Sequence, residues 1–229
     1  MEKVKEYLLS HGAALVGYAD VQILPTETRD GLPSAVSFAV VLNPNIVAGI
    51  LAGPTAEYRD EYVRVNNLIN ELTAGAVAVL RAAGWRAEAR QATQDYIDPG
   101  LEPIALPHKT VARLAGLGWI GKSALLVTEE YGSAVRLGTL VTDAPLPTAP
   151  PPPAEGRCGE CTCCVRACPG HAPVGKNWQP GMARADVLDA RACFDAIRRN
   201  HQRLGHGVCG MCIAVCPWTG RYLSRAGAV

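Results

Sequence analysis

Blocks of hydrophobic and polar residues alternate along the first 145 positions, and they predict alternating helices and strands. The stretch from Glu2 to His11 favours a short helix that ends at Gly12, and "ALVGYADV" after it favours a strand. The continuous apolar run "AVSFAVVLN", Ala35 to Asn43, is typical of a strand buried on both faces. Together these blocks indicate a mixed α/β domain.

A long helical pattern follows in "AEYRDEYVRVNNLINELTAGAVAVLRAAG". Apolar residues recur there at steps of three and four, which places them on one face of a helix. They are Tyr58, Tyr62, Val65, Leu68, Leu72, Ala76, Val79 and Ala83. Gly84 supplies a stop. Farther on, "KSALLVT" and "AVRLGTLVT" predict two strands that are joined by the turn "EEYGS".

A proline-rich stretch divides the chain. Six prolines occur in the thirteen residues "APLPTAPPPPAEG", which predicts an extended, semi-rigid connector. We therefore predict an α/β domain at 1–145, a linker at 146–156 and a small cysteine-rich domain at 157–229. Within this last part, "ADVLDARACFDAIRRNHQRLG" predicts a helix over at least part of its length.

Composition narrows the class of protein. The 229 residues are 48% hydrophobic, which is enough for a sizeable core, and the net charge of +1 gives no overall basic excess. Nucleic acid is therefore not an expected partner. No run of eighteen apolar residues occurs, and "MEKVKEYLLSHGAALVG" lacks the apolar core of a signal peptide. We expect a cytoplasmic protein with no membrane partner.

All nine cysteines lie between Cys158 and Cys216. Because the cytosol keeps thiols reduced, this clustering favours a bound metal over a disulfide framework. The first motif has the spacing C-x2-C-x2-C-x3-C-P, and the second repeats its last part as C-x2-C-x3-C-P. Cys193, sixteen positions before Cys209, is the candidate for the leading cysteine that the second motif lacks.

The spacing predicts two [4Fe–4S] clusters. In two-cluster ferredoxins the cysteine that precedes proline ligates the other cluster. We therefore assign cluster one to Cys158, Cys161, Cys164 and Cys216, and cluster two to Cys168, Cys193, Cys209 and Cys212. Cys163 is left over. A zinc ribbon, which uses two C-x2-C pairs, is the alternative, but it does not require this four-cysteine motif and its partial copy.

Closely spaced glycines mark "HKTVARLAGLGWIGKSALLVTEEYGSAVRLGTLVTDAPL". Gly116, Gly118 and Gly121 would let the backbone approach a flat or phosphate-bearing ligand. Tight turns in any α/β core would use glycine as well. A Rossmann dinucleotide loop is a poor fit, because no strand pattern precedes these glycines.

Several motifs in this order resemble those of epoxyqueuosine reductase. They are "AGLGWIGK", "YGS" with "LGTLVTD", the first cysteine motif, the lone Cys193 and "CGMCIAVCPW", and they extend from about His108 to Trp218. The resemblance is looser in "HGAALVGYADV" and "EYRDEY". It implies an α/β (α+β) chain with a nitroreductase-like, cobalamin-binding core, as in reductive dehalogenases, followed by a ferredoxin-like two-cluster module. The chain ends soon after "CPW", so we expect a short form without the family's C-terminal helical-repeat domain.

The resemblance also implies site residues. The corrin pocket would be lined by the Gly116–Lys122 loop and the Tyr131–Gly138 segment. Its cofactor-binding residues would be Gly116, Gly118, Trp119, Gly121, Lys122, Ser133, Arg136 and Gly138.

The proton donor is less well defined. The family carries a catalytic aspartate in a V-D-x-A-P stretch, which here reads "YIDPGLEPIALPHKT". Glu102 takes its place without a gap and Asp98 with a four-residue shift. His108 stands where the family usually has glutamate, and it is a third candidate proton donor or a lower cobalt ligand. These departures, with the expected lack of the tRNA-holding domain, argue against tRNA epoxyqueuosine as substrate.

The leading hypothesis is therefore a cobalamin-dependent oxidoreductase. Electrons from an external donor such as ferredoxin or flavodoxin would pass through two [4Fe–4S] clusters to a base-off cobalamin, which reduces an unidentified small-molecule substrate. The first alternative is an electron-transfer protein that docks a partner, for example a corrinoid protein that needs reductive activation. The second is a flavin (FMN) in the α/β pocket.

Overall fold

The computed structural model describes residues 2–93, 106–148 and 156–229, in which helices and strands alternate. The helices are α1 Glu2–Ser10, α2 Pro44–Ala48, α3 Ala56–Ala82, α4 His108–Leu114, α5 Cys163–Ala167, α6 Ala190–Leu204, α7 Met211–Ala214 and α8 Pro217–Arg225. The strands are β1 Leu15–Asp20, β2 Ser34–Val41, β3 Ala87–Arg90, β4 Trp119–Ile120, β5 Leu126–Val127 and β6 Val135–Thr142.

The main sheet is antiparallel and has the strand order β1, β2, β6, β3. Its two central strands are largely buried, as the apolar runs predicted. Phe38 on β2 stands directly opposite Gly138 on β6. A Cβ at Gly138 would lie 2.1 Å from Phe38 Cζ, so the glycine makes room for the ring across the neighbouring strand.

Helix α3 covers one face of this sheet and packs against α1. Its N-cap is Thr55, whose hydroxyl accepts a hydrogen bond from the Tyr58 N–H at 3.2 Å. Most of the predicted stripe is confirmed, because Tyr58, Val65, Leu72 and Ala76 are buried in the main core and Tyr62, Leu68 and Val79 pack against it. Ala83 is the exception, since it is exposed and follows the end of α3. No helix in the described ranges is long and apolar enough to span a bilayer.

The segments "KSALLVT" and "AVRLGTLVT" each contain a strand, as predicted, but the two strands do not pair with each other. The second segment forms β6, but both edges of β6 are already paired, with β2 and β3. In the first segment only β5 forms, and it pairs with β4 in a separate ladder. Strand β3 was not predicted, because its four residues carry two charges and lack an apolar run.

The cysteine-rich part packs directly on the α/β part. Val208, Ile213, Ala214 and Leu223 lie in the same core cluster as residues of β2 and α3. The Tyr222 hydroxyl also donates to the Leu42 carbonyl at 3.0 Å. The division into two domains stays a prediction, and the two parts share one core.

Candidate metal centre

The two cysteine–proline motifs have nearly the same local backbone. Helix α5 ends directly before Cys168 and α7 ends shortly before Cys216, and a proline follows each of these cysteines. Their φ,ψ angles are −71°, 118° and −69°, 125°. A residue before proline is restricted to this extended region, so both motifs turn the chain out of a short helix in the same way. Helices α5 and α7 contact each other.

The cysteines assigned to cluster one lie together. We call them the first thiol group: Cys158, Cys161, Cys164 and Cys216. Burial, followed by the charges of the other three thiols, raises the pKa of Cys164 to about 11. All four line a cavity of about 90 Å³, and all are free thiols.

The cysteines assigned to cluster two form a second thiol group: Cys168, Cys193, Cys209 and Cys212. Burial, followed by Cys168 and Cys209, raises the pKa of Cys193 to about 11. The pKa of Cys212 is raised by burial and then by its neighbours, which are the other members of this group and Cys164. Cys212 also lines the cavity of the first thiol group, so the two thiol groups are adjacent there.

Cys163 lies at the edge of the first group. Its pKa is raised mainly by a hydrogen bond with Cys161, and burial contributes less. The guanidinium of Arg166 stands 3.8 Å from its sulfur. Cys163 also lines the first cavity, so its exclusion from the ligands stays a prediction.

Both groups fit a [4Fe–4S] cluster chemically. Such a cluster takes four cysteine thiolates around its iron–sulfur core, so its ligands stand farther apart than those of one ion. Within the described ranges, no three histidine, cysteine, aspartate or glutamate side chains form a group that could hold a single metal ion. A coordinating thiol is deprotonated outright, and the positive charge of the bound iron would offset the cost of burying the resulting thiolates.

Hydrogen-bond donors surround the thiols at the start of α8. Burial raises the pKa of Cys216, and the neighbouring backbone N–H groups of Thr219 and Trp218 and the Thr219 side chain oppose that rise. The Thr219 Oγ1 itself accepts from the Ser133 N–H at 3.0 Å, so the hydroxyl keeps its own hydrogen as a donor. In the second group, the Ala172 N–H donates to Cys168 Sγ at 3.4 Å. Such donors tune the potential of a cluster.

The substitution Thr219→Val is expected to lower the reduction potential of the first cluster. It removes the hydroxyl, which is a donor placed near Cys216, but keeps the shape of the side chain. A differential loss of about 1 kcal/mol corresponds to roughly 40 mV for one electron. An EPR-monitored redox titration measures the shift, and Thr219→Ser, which retains the hydroxyl, is the control. If the Thr219→Val variant has the same reduction potential as the wild type, the hydroxyl does not tune the first cluster.

The glycine loop after α4 covers the first thiol group. A Cβ at Gly118 would lie 2.1 Å from the Val127 carbonyl oxygen, so this glycine permits the close pairing of β4 and β5. A Cβ at Gly121 would lie 3.5 Å from Cys158 Sγ, and Lys122 lines the same cavity. Gly116 has a φ of +76° and open space around its Cα. This part of the predicted corrin site therefore faces the cysteines.

Trp119 belongs to the same wall. It is 7% exposed, and its ring lies edge-on to that of Trp218 at 4.9 Å between centroids. Arg157 lies over the other side of the indole, 5.4 Å from its centroid. Within the described ranges the indole Nε1 is buried without a hydrogen-bond acceptor. The ring is thus part of the packing between the loop and α8.

The other predicted cofactor-binding residues point to different neighbours. Ser133 contacts Thr219, and Gly138 lies beneath Phe38. The Arg136 guanidinium donates to Asn66 Oδ1 at 3.0 Å and to the Thr93 carbonyl at 2.9 Å. It also stacks on Tyr62 at 4.1 Å from the ring centroid. The described residues therefore do not bring all eight into one cavity.

His108 is the predicted proton donor that falls within the described residues. Its Nε2 donates to the Gln91 carbonyl at 2.9 Å, so in the neutral ring Nδ1 accepts from the Thr139 hydroxyl at 3.0 Å. Burial, as the largest cause, lowers the pKa of His108 and favours this neutral form. Glu102 and Asp98 lie outside the described residues. All three assignments stay predictions.

The sequence did not predict that Tyr58 and Gly210 lie near the thiols. Tyr58 is buried, and its pKa is raised chiefly by burial, with Cys212 and Cys209 among its charged neighbours. Gly210 has a φ of +75°, and a Cβ there would lie 2.7 Å from Tyr58 Cζ. Tyr58 had been assigned only to the helix stripe, and nothing in its pattern indicated a position beside the second thiol group.

Three curated epoxyqueuosine reductases show the sequence similarity. The chain is 29% identical to that of Pseudomonas aeruginosa over 233 residues, which cover 93% of this chain and 56% of the relative. It is 36% identical to that of Synechococcus sp. over 138 residues, which cover 55% and 40%. It is 40% identical to that of Listeria monocytogenes over 116 residues, which cover 49% and 30%. The chain thus spans between 30% and 56% of the length of these relatives. No family model matches it.

Solved structures show the same relationship in the fold. An epoxyqueuosine reductase with a tRNA-Tyr epoxyqueuosine-modified tRNA stem loop has a TM-score of 0.64 and 20% identity, over 96% of this chain and 65% of that one. A catabolic reductive dehalogenase in complex with 3-bromo-4-hydroxybenzoic acid has a TM-score of 0.73 and 18% identity, over 95% and 31%. These matches confirm the predicted fold class. With the curated relatives, they also confirm the resemblance that the motifs indicated.

Proposed function

We propose that this chain is an iron–sulfur reductase that holds two [4Fe–4S] clusters and uses a base-off cobalamin to reduce a small-molecule substrate. The observation that carries this proposal is the pair of adjacent four-thiol groups packed on an α/β core. The relatives support a reductase, because those named above are epoxyqueuosine reductases. A further neighbour, with a TM-score of 0.73, is a reductive dehalogenase whose structure suggests a mechanism for B12-dependent dehalogenation.

The chain's own residues would hold the clusters and control their surroundings. The first thiol group would ligate cluster one and the second group cluster two. When bound, the clusters and cobalamin would supply one-electron transfer and a reducing cobalt centre, which side chains cannot provide. Because Cys212 also lines the cavity of the first thiol group, the two clusters would lie side by side. Thr219 and nearby backbone N–H groups would donate to the Cys216 sulfur.

The cobalamin part rests on the comparisons and the motifs. The predicted corrin-pocket residues contact separate parts of the protein, as described above, and the candidate donors Glu102 and Asp98 lie outside the described residues. This dispersal favours the electron-transfer protein as a second candidate function. In that case the α/β surface would dock a partner such as a corrinoid protein. An FMN-binding reductase is the third possibility.

The charge distribution bears on the electron donor. Residues 157–229 carry ten Lys and Arg against four Asp and Glu, whereas residues 1–156 carry twelve against seventeen. Arg198, Arg199 and Arg203 are exposed on α6, the helix that also carries Cys193. This basic surface beside the second thiol group suits an acidic donor such as flavodoxin or ferredoxin.

A basic surface also suits nucleic acid phosphates. One structural neighbour was solved with a tRNA stem loop. We therefore withdraw the expectation that nucleic acid is not a partner. The nature of the substrate, small molecule or nucleic acid, is part of what the test of function must decide.

Anaerobic reconstitution followed by addition of cobalamin tests the proposal. We expect about eight iron atoms per chain, which is two clusters, and tight cobalamin binding with the EPR signal of base-off Co(II). The measurement requires iron and acid-labile sulfide analysis on the same sample. Denaturation of the protein as purified tests for FMN, because a released flavin fluoresces.

The possible outcomes separate the candidates. Two intact clusters without cobalamin binding would contradict the reductase proposal and favour the electron-transfer protein. Stoichiometric fluorescent flavin would favour the FMN alternative. If zinc binds in place of iron, the cluster assignment itself is wrong.

A further inference from the structure

Lys122 is a buried lysine in the wall of the cavity formed by the first thiol group. It is 6% exposed, and it lines the cavity together with Cys158 and Cys164. Within the described ranges its ammonium makes no hydrogen bond or ion pair. Lys109, by contrast, donates to the Ala124 carbonyl at 2.8 Å. Lys122 therefore places a cationic side chain in the wall of a cavity that the four thiols also line, where a bound negative group would lie beside it.

The loop that carries Lys122 is held in place from both ends. The Gly121 N–H donates to the Leu125 carbonyl at 2.9 Å, and the Ala124 N–H donates to the Gly121 carbonyl at 2.8 Å. The hydrogen bond from Lys109 ties the same loop to α4. The main chain at Lys122 is therefore fixed beside the cysteines before any ligand is bound.

We propose that Lys122 is the positive partner of the cluster held by the first thiol group and raises the reduction potential of that cluster. The inference rests on the cluster part of the proposed function and does not require cobalamin. Four thiolates outweigh the positive charge of the iron–sulfide core, so the cluster is negative and becomes more negative on reduction. A fixed cation nearby stabilises the reduced form more than the oxidised form.

This role differs from the one implied by the resemblance, in which Lys122 would line the corrin pocket. The cavity that Lys122 lines is formed largely by cysteines, with Trp218 and Pro217 at its edge. The two roles make different predictions. A corrin contact would affect cobalamin affinity, whereas a cluster partner would affect the potential of one cluster in the absence of cobalamin.

The test is an EPR-monitored redox titration of the full chain, reconstituted anaerobically without cobalamin. Lys122→Met removes the charge and keeps the length of the side chain. We expect the reduction equilibrium constant of one cluster to fall at least tenfold, which is about 59 mV for one electron, and that of the other to change less. Lys122→Arg keeps the charge and should remain near the wild type. Lys176→Met removes an exposed charge that solvent screens, and it should also leave both potentials unchanged.

Two results would overturn the inference. One is a Lys122→Met protein with full iron content and wild-type potentials. The other is a Lys122→Arg protein that shifts as far as Lys122→Met. Should Lys122→Met lose iron, Lys122→Gln takes its place, and the same comparison with Lys122→Arg decides. A wild-type chain with two clusters but no cobalamin binding would contradict the proposed reductase and leave this measurement valid.

Discussion

Replacing Cys193 with serine is expected to remove about one cluster, which is close to half of the iron that the reconstituted wild-type chain would hold. The Cys193 thiol lies on α6 with Cys168 and Cys209 as its neighbours. In the proposed partition it would be the fourth ligand from the second thiol group, and a serine hydroxyl is a poorer ligand for this iron than a thiolate. Iron and acid-labile sulfide per chain measure the loss, and EPR identifies the cluster that remains.

Cys163→Ser is the matched control for this prediction. Cys163 lies beside the first thiol group, where it forms a hydrogen bond with Cys161 and lies next to Arg166. The motif spacing gives it no ligand position. Its substitution should therefore leave the iron content at the wild-type level. Equal iron loss in the two variants would refute the ligand partition. Loss in Cys163→Ser alone would make Cys163 a ligand and remove Cys193 from the proposed ligands of the second thiol group.

The grouping of the cysteines could be predicted from sequence because the motif itself is geometric. Proline holds the preceding cysteine in an extended conformation, so Cys168 and Cys216 leave their helices in the same way. The structure places the cysteines of each predicted set as neighbours. Their ligation of iron stays a prediction that the iron analysis decides. The α3 stripe was predictable for a similar reason, since its period follows from helix geometry.

The functions of the glycines could not be predicted in the same way. Sequence shows where a Cβ is lacking but not what occupies the space. At Gly118 that space is occupied by the Val127 carbonyl, and at Gly138 by the Phe38 ring. Close packing of the protein against itself therefore accounts for two glycines that the resemblance assigned to the corrin. Only a three-dimensional structure distinguishes these two uses of glycine.

The contact between the "YGS" motif and α8 could not be predicted from the sequence, for a related reason. Ser133 and Thr219 are 86 positions apart, and no periodic pattern connects them. Their hydrogen bond joins the α/β part to the helix that follows Cys216. The structural order of the first thiol group should therefore depend on Ser133, which lies in a turn that is distant in sequence from every cysteine.

Gly132→Ala is expected to disturb both the fold and the first cluster. Gly132 has a φ of +57°, and a Cβ there would lie 2.2 Å from the Thr219 backbone N. The left-handed conformation alone costs an alanine about 1–2 kcal/mol. The clash with backbone adds about 1–3 kcal/mol, because α8 must move rather than a flexible side chain. Since Cys216 precedes α8 directly, we expect partial loss of iron from the first cluster as well.

Gly31→Ala isolates the conformational part of this effect. Gly31 has a φ of +72° but no atom within 4 Å of its would-be Cβ. Its substitution should therefore lower the free energy of unfolding only by the cost of the left-handed conformation, and it should leave the iron content unchanged. The melting temperature of Gly132→Ala should be lower than that of Gly31→Ala by about 2–4 °C for each additional kcal/mol. If the two variants had equal melting temperatures and equal iron content, a side chain at position 132 would not clash with α8. The proposed dependence of the first cluster on the contact between the "YGS" motif and α8 would then be wrong.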